Sequence, residues 1–191
     1  MRAPYETFGK RAFDLLLASV AMLVFAPLLL LVAVAIRIED RGPALFRQVR
    51  SGRANRSFTL MKFRSMPVAT PSVPSAVAGT LKVTRVGRVI RRLNLDELPQ
   101  LFNILRGEMS IVGPRPALPT QAALLDGRAK AGVVRLRPGL TGLAQVSSYA
   151  GMSEEEKLEW DKRYAARVTV LHDLAIILRT FGYLAKPPPV Y

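Results

Sequence analysis

From Leu15 to Ile36 the chain is apolar at every position except Ser19 and Pro27. At 1.5 Å per residue, a helix over this run is just long enough to cross the hydrocarbon of a bilayer. Three readings compete. A signal peptide fits the cleavage-like Ala33-Val34-Ala35, although the apolar region is long for one. A simple spanning helix is the default. The third is a re-entrant hairpin, because Pro27 removes a helical hydrogen bond and bends the chain in mid-run. Positive charge flanks both ends, with Lys10 and Arg11 before and Arg37, Arg41, Arg47 and Arg50 after. Cytoplasmic flanks carry such charge, and both flanks satisfy that preference only if the helix dips in and returns. Prolines are also tolerated in spanning helices, so these residues leave the last two readings open.

The rest of the composition narrows the partner. Lys plus Arg number 28 against 14 Asp plus Glu, a net charge of +14 over 191 residues. That balance asks for nucleic acid, anionic lipid or phosphate-bearing substrates. Half of the residues are hydrophobic, which points to a membrane. No nucleic-acid partner is expected, since aromatics are only 7% and no recognition motif is present. The absence of cysteine excludes disulfides, thiolate metal sites and a Cys nucleophile.

The chemistry concentrates between Asn94 and Pro116. Asp96 and Glu97 open an apolar helical run, with Pro99 three residues after Asp96. Proline suits the first turn of a helix, which puts Asp96 at or near an N-cap. The rival cap is Asn94, with Glu97 closing a capping box. Free N–H groups there favour a charged carboxylate, the form that a nucleophile or a Mg²⁺ ligand needs. The stretch ends in Gly113-Pro114-Arg115-Pro116, where flanking prolines stiffen one guanidinium whose fork matches phosphate. A capped helix beside a surface arginine is the bland alternative.

The remaining segments follow in order. Ala44–Arg50 and Ser57–Ser65 read as a β-hairpin around a polar loop at Ser51–Arg56. Lys62 and Arg64 share one face of its second arm, where phosphate is a candidate partner. Pro67–Thr80 reads as a mobile loop, a candidate lid. Thr84 caps a basic helix with Val86, Val89, Ile90 and Leu93 on one face, suited to an anionic bilayer surface. Ala117–Lys130 reads as a helix, and Arg135–Gln145 as a Pro/Gly loop. Ser153 and Glu156 form a capping box. Leu171, Leu174, Ile177, Leu178 and Phe181 stripe a last helix, packed on the core or the membrane. His172, off that stripe, is a poor candidate base. The tail Lys186–Tyr191 is not helical.

Taken in sequence, these motifs resemble a known family. They are Lys10-Arg11-x-x-Asp14, Gly42-Pro43, Gln48-x-Arg50-x-Gly52, Lys62-Phe63-Arg64-Ser65-Met66, Asp96-Glu97-Leu98-Pro99-Gln100, Gly107-x-Met109-Ser110-x-Val112-Gly113-Pro114-Arg115-Pro116 and Pro138-Gly139-x-Thr141-Gly142. In that order they resemble the bacterial sugar transferases, the monotopic phosphoglycosyl transferases, in their minimal catalytic unit. The resemblance implies transfer of a sugar-1-phosphate from a UDP-sugar to undecaprenyl phosphate at the cytoplasmic face of the bacterial inner membrane. It implies Asp96 as nucleophile and Mg²⁺ ligand, and Glu97 as its assistant. Arg91 and Arg115 would serve phosphate, Lys10 and Arg11 the phospholipid headgroups, and Pro27 the helix break. The implied fold is α+β and mostly helical. A re-entrant membrane helix-break-helix (residues 1–40) precedes a catalytic domain (residues 41–191) with a small β-hairpin and surface amphipathic helices. The oligomeric state is left open, a homodimer included. Two departures stand out: Ala26 precedes Pro27 where Ser is common, and Ser147-Ser148-Tyr149-Ala150 replaces Asn-Gly-Arg-Asn.

Overall fold

The computed structural model describes residues 5–68, 70, 82–147 and 152–184. The expected lid at Pro67–Thr80 lies almost wholly outside these residues, as do positions 148–150 and the C-terminal tail. The described chain is mostly helical with two small sheets.

A π-helical turn, Tyr5–Gly9, leads into α1, Lys10–Glu39. Instead of an interruption at Pro27, one helix runs through it. Proline has no N–H, so the Leu23 carbonyl loses its helical partner there. Leu23–Pro27 is exposed at all five positions, more than a full turn. On either side the helix packs on the body. Ala18 is buried with Leu60, Leu101, Ile104 and Met109, whereas Val32 and Ile36 are buried with Phe63 and Ile90. The helix therefore touches the body at both ends and stands clear of it in the middle.

The expected hairpin is present. Strands β1 (Leu45–Ser51) and β2 (Ser57–Phe63) pair antiparallel, with Ser51 opposite Ser57. Ala54 and Asn55 take left-handed conformations, and the Gly52 N–H donates to the Arg56 carbonyl at 2.8 Å to close the loop. Asn103 covers the outer edge of β2. Its side chain accepts from the Met61 N–H at 3.1 Å and donates to the Thr59 carbonyl at 2.7 Å. An amide has one acceptor and two donors, so it satisfies a strand edge as a third strand would.

Helix α2 (Arg85–Arg92) begins at Thr84, whose hydroxyl accepts from the Gly87 N–H. The carboxylate of Glu39, at the end of α1, accepts from the N–H groups of Arg85 and Val86 at 2.5 and 2.8 Å. Three of the four N–H groups that a helix start leaves open are thereby satisfied. The expected apolar face divides. Ile90 turns inward, but Val89 and Leu93 are exposed beside Arg85, Arg88 and Arg92.

Helix α3 (Gln100–Arg106) ends at Gly107 in a left-handed conformation. Strand β3 (Ser110–Val112) then pairs in parallel with β4 (Gly139–Thr141), so the expected Pro/Gly loop contains a strand. The glycines explain the pairing. A Cβ on Gly139 or Gly142 would collide with the backbone of Gly113, and one on Gly113 with the backbone around Arg137 and Gly139. Only bare backbones approach this closely.

Helix α4 (Ala122–Lys130) is shorter than expected, since Ala117 instead bridges to Ser51. A short helix α5, Leu143–Ser147, precedes α6, Glu154–Ala166, which starts with the expected Ser153–Glu156 capping box. Helix α7, Val170–Leu184, sets only Ile177 of the expected stripe against the core. Asp173 and Ile176 face the core, while Leu171, Leu174, Leu178 and Phe181 are exposed. The cause is Asp173, fully buried and accepting from Tyr5, Lys10 and Tyr164 at 2.7, 2.6 and 2.8 Å.

Candidate active site

Asp96 and Glu97 sit in a 3₁₀ turn, Leu95–Glu97, between α2 and α3. Neither expected cap is formed. Pro99 holds the N-cap position of α3, so Asp96 lies one turn upstream of that helix. Asn94 precedes the turn in a left-handed conformation and makes no side-chain cap. The Glu97 carboxylate turns instead to two cations. Lys62 Nζ lies 2.5 Å from its Oε1, and Arg115 Nη2 lies 3.3 Å from the same oxygen.

The two carboxyls are therefore unlike. Burial raises the pKa of Glu97, but Lys62 and Arg115 outweigh it and hold the group at about 2. Burial also raises Asp96, and here it prevails: Lys62 and Arg91 oppose the rise, and the Glu97 charge adds to it. The sequence reading favoured the charge on Asp96, whereas the firmly ionised member is Glu97. Asp96 has lost the N-terminal N–H groups that a capping position would supply.

The cations arrive from separate elements. Lys62 comes from β2, which Asn103 joins to the helix following the acid pair. Arg91 lies near the end of α2, where its Nε donates to the Ser65 hydroxyl at 2.8 Å. Arg115 follows β3, on the backbone locked by the three glycines. Sequence reasoning missed what steadies it. Arg128 Nη1 donates to the Arg115 carbonyl at 3.0 Å, while its Nε and Nη2 hold Asp161 at 2.8 and 2.6 Å. Arg128 and Asp161 are both buried, on α4 and α6, and nothing local in either helix announces the pairing. Arg50, read in the sequence as a flanking charge and as part of a motif, also lies within the field of Arg115 and Glu97.

Other candidate residues lie elsewhere. Arg64 is buried and donates to the Asp40 carbonyl at the end of α1. Lys10 is buried against Asp173. Arg11 donates to the carbonyls of Ile104 and Leu105 at 2.6 and 3.0 Å, closing the end of α3. In this arrangement Lys10 and Arg11 dock α1 onto the body. Pro27 lies at the exposed middle of α1.

The assembled group is thus an acid pair ringed by Lys62, Arg91 and Arg115, with the membrane-length helix docked alongside. A description of bacterial sugar transferases matches residues 5–187. The chain belongs to the bacterial sugar transferase family. Three members illustrate the similarity. A UDP-glucose:undecaprenyl-phosphate glucose-1-phosphate transferase of Caulobacter vibrioides is 43% identical, over 95% of this chain and 72% of its own length. A UDP-N-acetylgalactosamine-undecaprenyl-phosphate N-acetylgalactosaminephosphotransferase of Aeromonas hydrophila is 40% identical, over 93% of this chain and 44% of its own. The exopolysaccharide production protein ExoY of Rhizobium meliloti is 39% identical, over 93% and 85%. The chain spans less than half of several further bacterial sugar transferases that it matches.

The donor set bears on magnesium. Among the described residues no cluster of three acidic or imidazole groups could cage a metal. Among the described residues no side chain is bonded to the Asp96 carboxylate, although Lys62 and Arg91 act on it through their charge. One hard oxygen donor with spare lone pairs fits Mg²⁺ held jointly with substrate phosphates, the usual arrangement for that ion.

Proposed function

We propose that this chain transfers a sugar-1-phosphate from a UDP-sugar to undecaprenyl phosphate through a covalent phosphosugar ester of Asp96. The observation that carries the reading is the division of the acid pair. Glu97 is tied to Lys62 and Arg115, while the Asp96 carboxylate is left with oxygens to offer. The names of the relatives supply both substrate classes.

In this reading an Asp96 oxygen attacks the sugar-bearing phosphorus. The bond to the bridging oxygen breaks, and its electron pair leaves with UMP. An oxygen of undecaprenyl phosphate then attacks the same phosphorus, freeing the Asp96 carboxylate and the polyprenyl diphosphate sugar. Lys62, Arg91 and Arg115 stabilise charge on the equatorial oxygens in both steps. Bound Mg²⁺, with Asp96 as its protein ligand, would neutralise the diphosphate. Glu97, with a pKa of about 2, is a poor base. It orients Lys62 and Arg115.

The membrane reading is part of the same proposal. Helix α1 dips into the cytoplasmic leaflet of the inner membrane and returns, with Leu23–Pro27 deepest. Its support is that exposed middle between two docked ends. The exposed Leu171, Leu174, Leu178 and Phe181 of α7, and Val89 with Leu93 among the arginines of α2, suit the same surface.

The test is UMP release from a panel of UDP-sugars with undecaprenyl phosphate and Mg²⁺. Release by the wild type, none by Asp96→Asn, and an intact mass increased by a sugar phosphate with donor alone are expected. Turnover retained in Asp96→Asn would sink the mechanism. A panel without any release would favour a non-catalytic basic module bound to anionic lipid.

A further inference from the structure

Arg50 has no assigned role, yet it is held as firmly as any group at the site. It lies on β1 opposite Phe58 and is half-buried. Its Nε and Nη2 clamp the Gln48 side-chain oxygen at 3.0 and 2.6 Å. Its Nη1 donates at 3.1 Å to the carbonyl of Pro116, the residue after Arg115. Next along β1, the Ser51 N–H donates to the Ala117 carbonyl at 2.9 Å. The end of the hairpin is thereby joined to the segment that carries Arg115.

All of these partners are neutral. Among the described residues Arg50 forms no ion pair within 4 Å, and Glu97, the carboxylate it senses, is already shared by Lys62 and Arg115. Burial, and then Arg115, lower its pKa to about 10, with Glu97 opposing them. A half-buried cation beside another cation is costly unless an anion completes it. A guanidinium with three fixed donors also has two N–H groups to spare.

The cations divide into two poles. Arg91 acts on Asp96, and Lys62 spans the two poles, acting on Asp96 while bonded to Glu97. Arg115 lies on the Glu97 side, and Arg50 is joined to its segment. Four cations face two carboxylates, so before any Mg²⁺ is counted the site offers two positive charges to a diphosphate. The phosphorus attacked by Asp96 lies at the Arg91 pole, within reach of Lys62. The other phosphate, which departs carrying the electron pair of the broken bridge, then falls at the second pole.

We infer that Arg50, together with Arg115, binds the phosphate of the leaving nucleoside monophosphate and stabilises the charge it acquires. This rests on the reading of the chain as a UDP-sugar transferase. Arg50 touches the nucleotide only, and the lipid acceptor meets the other pole.

The experiment measures UMP affinity by calorimetry in the Asp96→Asn background, where no turnover is needed. Undecaprenyl phosphate KM is measured separately in the otherwise wild-type enzyme. Arg50→Gln should weaken UMP binding on the order of ten- to a hundred-fold, the loss of a charge-assisted contact. The KM for the lipid should stay within about twofold, inside ordinary surface-substitution effects. Added guanidinium should restore part of the UMP affinity of Arg50→Ala. Unchanged UMP affinity in a variant that melts like its parent overturns the inference. So does equal damage to UMP affinity and to the lipid KM with a lowered melting temperature, which would make Arg50 a structural brace. Should Arg50→Gln not fold, Arg50→Lys keeps the charge without the fork, and unimpaired UMP binding by it is likewise fatal. A protein that binds UMP through Arg50 but releases none from any donor would refute the transferase reading and leave the Arg50 phosphate contact standing without its leaving-group role.

Discussion

Lys62 Nζ meets Glu97 Oε1 at 2.5 Å, and this contact sets the two neighbouring carboxyls apart. Glu97 becomes a fixed anion that steers two cations. Asp96 bears the cost of burial, and among the described residues no cation is bonded to it.

Opposite stability changes follow for the two isosteric amides. Asp96→Asn removes a charge that the fold disfavours, so its melting temperature should rise while activity disappears. Glu97→Gln removes the partner of Lys62 and Arg115, and should cost about 2 kcal/mol. That is a fall of roughly 4–8 °C for a chain of this size. Thermal melts at pH 7 in one detergent provide the comparison; shifts of the same sign would contradict it.

The pH dependence of stability has its own sign. Glu97 is depressed from 4.5 to about 2 on folding. Its contribution is complete above pH 4.5 and is lost as pH falls toward 2. Asp96 is raised on folding, so it works the other way, and its ionisation lowers stability as pH increases. Urea midpoints between pH 5 and 2 should fall steeply in the wild type and less so in Glu97→Gln.

The buried Arg128–Asp161 pair should be intolerant of half-removal. Asp161→Asn leaves a buried guanidinium without its counter-charge, a loss of about 3–5 kcal/mol. Replacing both partners with apolar residues should recover much of that stability. UMP release should remain impaired in the double variant, because the Arg115 carbonyl has lost its donor. Full activity there would show that Arg115 needs no such support.

Two glycines should respond in opposite ways. Gly139→Ala places a Cβ against the Gly113 backbone and should disrupt the β3–β4 pairing along with the position of Arg115. Gly182 in α7 has open space around it, so Gly182→Ala should stabilise by up to about 1 kcal/mol. Melting temperatures of the two variants decide the matter.

The topology of α1 can be tested without background, since the chain has no cysteine. Single cysteines at Glu6 and Arg41 flank the helix. Both should react with a membrane-impermeant thiol reagent from the cytoplasmic side alone. Labelling of one flank from the opposite side would establish a spanning helix and remove the re-entrant reading.

Local sequence chemistry was sufficient for several elements. The apolar run becomes a long helix because its period and length leave no other use for it. The hairpin, the Thr84 cap and the Ser153–Glu156 box depend on residues a few positions apart, so their partners are visible in the chain. The acid pair and the fixed Arg115 were equally legible as types. What the chain could not disclose was which residues share an electrostatic field. Arg64 resembles Lys62 in strand parity, yet only Lys62 reaches the acids, because Asp40 at the end of α1 takes Arg64. The stripe on α7 named an apolar face, but Asp173, bonded to residues near the other terminus, turned that face outward. The ionisation order of Asp96 and Glu97 belonged to the tertiary structure for the same reason. A pKa depends on burial and on charges a few ångströms away, and here those charges come from β2, α2 and the segment after β3, which only folding brings together.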